Sequence, residues 1–89
     1  MSITIRIPSL LRQCTEQKSE VTVEGATVQE ALENFKTRFP DAAARYFSPR
    51  TMRYMNLYLN DQDIRNLQNL ETPVQDKDMI SIIFAIAGG

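Results

Sequence analysis

Thr27-Val28-Gln29-Glu30-Ala31-Leu32-Glu33-Asn34-Phe35-Lys36-Thr37-Arg38-Phe39-Pro40 is the stretch on which the fold turns. Val28, Leu32, Phe35 and Phe39 recur at spacings of four, three and four, which puts them on one face of a helix. Ala31 lies beside that stripe. Thr27 and Glu30 fit a capping box, with Thr27 closing the first turn and Glu30 reaching back to it. Glu30 and Glu33 sit near the positive end of the helix dipole, and Lys36 and Arg38 near the negative end. Pro40 marks the stop, because the residue before a proline disfavours α geometry. This is the one long helical pattern in the chain, so the remaining elements must be arranged around it.

Upstream, Ser2 to Ile7 alternates, with Ile3, Ile5 and Ile7 on one face and Ser2, Thr4 and Arg6 on the other. That pattern predicts a half-buried strand, ended by Pro8. Leu10 and Leu11 are expected to reach back to the core. Gln13 to Lys18 reads as a turn or loop. Glu20 to Glu24 is a second strand, with Val21 and Val23 inward and Gly25 closing it. Two strands so near in sequence predict a hairpin.

Downstream, Ala42 to Phe47 predicts a short helical turn that Ser48-Pro49 breaks. Arg45, Arg50 and Arg53 make this the most basic region, read either as a solvated loop or as a contact surface for an anionic partner or nucleotide. Tyr54 to Leu59 is a third strand with Met55, Leu57 and Leu59 on one face. Asn60-Asp61 is a turn pair. Asp63 to Arg65 is expected as a short fourth strand around Ile64. Leu67 and Leu70 pack from a loop or a single helical turn. Asp76-Lys77-Asp78 is a tight turn. Met79 to Phe84 is the fifth strand, with Ile80 and Ile82 toward the helix and Ile83 outward.

The order strand, strand, helix, strand, short strand, strand predicts an α+β domain in two layers. It is the β-grasp, or ubiquitin-like, arrangement: a mixed sheet of four or five strands packed on one main helix. The first and last strands then lie parallel at the centre. Residues 1–84 form the domain, and residues 85–89 form a flexible tail, Ala85-Ile86-Ala87-Gly88-Gly89.

Composition removes several function classes. The 89 residues carry 10 Lys and Arg against 11 Asp and Glu, a formal charge of −1, which argues against a nucleic-acid partner. No His is present, so the usual general base and the commonest metal ligand are missing. One cysteine, Cys14, leaves no internal disulfide or multi-cysteine cluster. Cys14 itself reads as a small loop or core residue. Asp61 and Asp63 are spaced like cation ligands, but without a glycine-containing loop they make a weak case. The apolar run from Ile82 to Ala87 is too short to span a bilayer. With no signal-peptide pattern at the N-terminus, a soluble cytoplasmic protein without bound metal or cofactor is expected.

Two of the 3 glycines in the chain are Gly88 and Gly89. Glycine lacks a Cβ, so this ending is a carboxylate on a thin stem that can pass through a narrow channel. Ile83, Phe84 and Ile86, at the root of that stem, are the candidate partner-binding residues.

The opening Ile3-Thr4-Ile5-Arg6-Ile7-Pro8, the capped helix after Gly25, the block Asn56-Leu57-Tyr58-Leu59-Asn60-Asp61-Gln62-Asp63-Ile64-Arg65, the Asp76-Lys77-Asp78 turn and the Ala87-Gly88-Gly89 ending together resemble the ubiquitin-like sulfur carriers. That family includes the small subunit of molybdopterin synthase and the thiazole-synthesis carrier. The resemblance is closest to the carriers that feed a cysteine synthase. The chain departs from the pattern at Lys77, where the family usually has glycine, and at Phe84-Ala85-Ile86, where proline is usual.

The resemblance implies a chemistry. An E1-like enzyme uses ATP to adenylate the Gly89 carboxylate, and sulfur then displaces AMP to leave a thiocarboxylate. The carrier is a co-substrate rather than an enzyme. Its second partner is a sulfur-accepting synthase, of the cysteine synthase or molybdopterin synthase large-subunit type. Two other readings stay open: a ubiquitin-like modifier joined through Gly89 to lysines, and a non-catalytic β-grasp binding subunit.

Overall fold

The computed structural model describes residues 1–85. Five strands form one mixed sheet, β1 (Ser2–Arg6), β2 (Glu20–Glu24), β3 (Met55–Leu59), β4 (Gln62–Asp63) and β5 (Met79–Phe84), in the spatial order β2-β1-β5-β3-β4. β1 pairs antiparallel with β2 and parallel with β5, and β5 pairs antiparallel with β3. The last strand is therefore central, as a β-grasp requires. The main helix, α1 (Val28–Arg38), is joined by two shorter ones, α2 (Pro40–Tyr46) and α3 (Pro49–Met52).

The helical face read from the sequence is the core. Val28, Ala31, Leu32, Phe35 and Phe39 are buried against Ile3, Ile5, Ile80 and Ile82 of the two central strands. Phe35 sits at the middle, its ring 5.2 Å from that of Phe39 and 5.8 Å from that of Phe47. Burying a side chain of this size contributes about 1.5–3 kcal/mol. Thr27 caps α1 by accepting the Glu30 N–H at 3.1 Å. The return bond differs from the expected one: the Glu30 carboxylate accepts from the Ala26 N–H at 3.1 Å, one residue upstream of the cap.

Two other expectations, for Leu10 and for the fourth strand, are corrected, and the two prolines do more than expected. Leu11 is fully buried, but Leu10 is 40% exposed, because Ser9–Cys14 coils as a 3-10 helix with only one of the two leucines on its inner side. Pro40 ends α1 and also begins α2, occupying a first-turn position where a missing N–H costs nothing. Pro49 does the same for α3, with Ser48 as its cap. β4 ends at Asp63, since the Asp63 carboxylate accepts the Arg65 N–H at 2.9 Å and turns the chain into a 3-10 helix over Ile64–Asn66.

The Asp76-Lys77-Asp78 turn is a knot of hydrogen bonds that registers β5 against β1. The Ser2 N–H donates to the Asp76 carboxylate at 2.8 Å, and the Lys77 N–H donates to the Ser2 carbonyl at 2.8 Å. The Gln75 N–H donates to the Asp78 carboxylate at 2.8 Å. Lys77 has φ 74°, the left-handed conformation in which glycine is the usual occupant.

Candidate functional site

The site is the end of β5, from which the chain continues toward its glycines. Ile80 and Ile82 are buried, which fixes the alternation of the strand and turns Ile83 to the opposite, outer face. Ile83 is 48% exposed. Phe84 returns to the inner face and is half-buried, its ring 6.0 Å from that of Tyr46. The Ala85 N–H donates to the Tyr54 carbonyl at 2.7 Å, so the pairing of β5 with the β3 side persists past the strand's formal end. Ile86, Ala87, Gly88 and Gly89, the other residues to which a role is assigned, lie outside the described residues.

Ile83 and Phe84 thus share the rim but point to opposite sides of the sheet. What brings them together is the neighbourhood. Among the described residues, three of the four exposed large hydrophobics, Leu10, Tyr54 and Ile83, stand around this exit. A cavity of about 200 Å³ opens between Leu10, Tyr46, Thr51, Tyr54 and Phe84. A larger groove of about 470 Å³ lies where β1 leaves the sheet, with Ile83 and Phe84 on one wall and Pro8 and Leu10 on the other. Sequence reasoning missed Leu10 and Tyr54, taking the first for core and the second for the opening residue of the third strand, which begins at Met55. Their signal is their position, each next to a chain reversal at the same end of the sheet as the end of β5.

The remaining candidates play other parts. The Asp63 carboxylate is bound by the Arg65 guanidinium at 2.7 Å, and these hydrogen bonds hold its carboxyl below the usual carboxylate range. No group of three His, Cys, Asp or Glu side chains suited to a metal occurs among the described residues. Cys14 is half-buried and packs against the core. Arg45, Arg50 and Arg53 are exposed. No helix among the described residues is long and apolar enough to cross a membrane.

Comparison with known proteins gives a family and several whole-length likenesses. The model of the ThiS family matches residues 5–89. The sulfur carrier protein CysO of Mycobacterium tuberculosis is 30% identical over 93 residues, covering all of both chains. The crystal structure of the Amycolatopsis orientalis BexX/CysO complex contains a chain that superposes with TM-score 0.85 at 36% identity, covering 98% of this chain and 99% of that one. The small archaeal modifier protein 1 of Methanosarcina acetivorans superposes with TM-score 0.83 at 23% identity over 99% of this chain and 96% of that one, a likeness of fold alone.

Proposed function

Because the chain belongs to the ThiS family, we propose that it is a sulfur carrier whose reacting group is the Gly89 carboxylate. The observation that carries the reading is that the family match runs through Gly89 itself, while β5, the strand leading to it, is central in the sheet. A central strand gives the stem a fixed root. The likeness to the CysO proteins favours a role in making cysteine, ahead of molybdopterin or thiazole.

The chemistry follows from how poor an electrophile a carboxylate is. In an E1-like partner, a Gly89 carboxylate oxygen attacks the α-phosphorus of ATP and pyrophosphate leaves. Hydrosulfide then attacks the acyl carbon, AMP departs with the former carboxylate oxygen, and a thiocarboxylate remains. Its sulfur, softer and more nucleophilic than oxygen, forms a bond to an activated carbon held by the accepting synthase. Cleavage of the acyl–sulfur bond by water returns the carboxylate. The carrier supplies the group being transferred, and its partners supply acid, base and nucleotide site. A slim stem suits this role because the adenylate must react inside a closed site that excludes water. Two glycines offer a partner no side chain to grip, so affinity must come from elsewhere, and the apolar rim at Ile83 and Phe84 is the surface assigned to it.

The test is intact-mass analysis after incubation with ATP, sulfide and a purified E1-like enzyme. Exchange of one oxygen for one sulfur on the full-length chain is expected. A ladder of covalent adducts to other proteins would instead make the chain a modifier, and an unchanged mass would make it a binding subunit.

A further inference from the structure

The groove where β1 leaves the sheet carries two arginines as well as its apolar walls: Arg6 from the outer face of β1 and Arg12 from the 3-10 helix that follows. The Arg12 Nε–H donates to the Ile7 carbonyl at 3.3 Å, which anchors that side chain beside the groove, and its terminal nitrogens make no hydrogen bond among the described residues. Arg6 stands across from Glu20 on β2. Even so, neither arginine makes an ion pair among the described residues, where Met1, Lys36 and Arg65 are the partners of the acids that do.

The backbone contributes a second feature. The parallel pairing of β1 with β5 runs from Thr4 opposite Met79 to Arg6 opposite Ser81, and there it stops. Two residues on stands Pro8, which has no N–H to give a ladder. β5 nevertheless continues to Phe84. Its last residues therefore have no β1 strand beside them, and the space so opened is the groove itself.

We propose that this groove receives an extended acidic segment of a partner protein, with carboxylates on Arg6 and Arg12 and an apolar side chain against Ile83 and Pro8. Guanidinium groups take carboxylates in paired hydrogen bonds, which favours a peptide acid. The apolar walls favour a chain with alternating character over a free phosphate, which would keep its water. An open strand edge is a known receptor for an extended peptide. The inference deepens the docking part of the carrier reading and rests on it. The two fail separately, since sulfur loading is read by mass and the groove by peptide binding.

The experiment is a titration of the isotopically labelled full chain, followed by the isoleucine methyl and arginine side-chain signals in NMR. The probes are a capped peptide of alternating glutamate and leucine and its lysine–leucine counterpart. The acidic peptide should shift Ile83, Arg6 and Arg12 saturably, and the basic one should not. Arg6→Gln and Arg12→Gln should each weaken binding about fivefold, the effect of losing one exposed ion pair, and added salt should weaken it further. Unchanged Ile3 and Ile5 methyl signals establish that each variant is folded, and the exposed position of Arg6 keeps at least that one interpretable. Absence of saturable shifts with the acidic peptide, equal shifts with both peptides, or displacement of the acidic peptide by pyrophosphate bound at the same arginines would overturn the proposal.

Discussion

Gly25 is the point where the end of β2 presses on the main helix, and replacing it with alanine tests the packing account. A Cβ there would lie 2.8 Å from the Ala31 nitrogen, 2.9 Å from its Cα and 3.1 Å from its Cβ. The first two are backbone atoms of α1, so no side chain can swing away. The corner is pinned on both sides: Asn34 donates to the Glu24 carbonyl at 2.8 Å, and the Ala26 N–H is held by Glu30. Relief requires α1 to shift as a body. Overpacking of this kind costs about 1–3 kcal/mol. Alanine also narrows the unfolded ensemble, which returns about 0.4–1 kcal/mol. The net expectation for Gly25→Ala is a loss of about 1–2 kcal/mol, a fall in Tm of several degrees for a domain of this size. Urea denaturation should show a lower midpoint with an unchanged slope. A midpoint equal to or above that of the parent chain would show that the β2–α1 contact is not as tight as described.

Lys77→Gly should stabilise the fold by about 0.5 kcal/mol, because removing the left-handed penalty of about 1 kcal/mol outweighs the added freedom of the unfolded chain. A lower urea midpoint would refute the claim of strain at φ 74°. Ile83→Asp changes an exposed residue and should leave Tm nearly unaltered, while raising the KM of the E1-like enzyme for the carrier about tenfold, as loss of an apolar anchor does. Equal kinetics with a folded variant would remove the rim from the docking surface. The Glu24 carboxyl is lowered by hydrogen bonds from Ser2 and the Met1 amino group, and that of Asp63 by Arg65. Folded values below unfolded ones mean that this stability is complete above the unfolded carboxylate values near about pH 4 and is lost as pH falls through the folded ones. Glu24→Gln should therefore flatten the acid limb of stability, and a steeper limb would contradict the assignment.

What the sequence made legible was whatever repeats. The isoleucines of β1, the valines of β2 and the stripe on α1 are periodic, and their burial follows from period alone. Leu10 and Leu11 carry no such signal. Both follow Pro8, and only the phase of a short 3-10 helix decides that Leu11 goes in and Leu10 out. The end of β4 was hidden for a similar reason, since Asp63 can act as a strand residue or as a cap. Pro40 and Pro49 show that one residue can stop one helix and begin the next. At the candidate site, the outward face of Ile83 was readable from alternation. The groove was not, because it depends on β1 stopping short of β5, a fact about pairing between strands far apart in sequence.

The central claim is that partners act on the terminal carboxylate, and deletion of Gly88-Gly89 addresses it most directly. ATP–pyrophosphate exchange by the E1-like enzyme should depend on the intact chain and disappear with the shortened one, whose Tm stays that of the parent. Exchange that persists at the parent rate with the shortened chain would contradict the account.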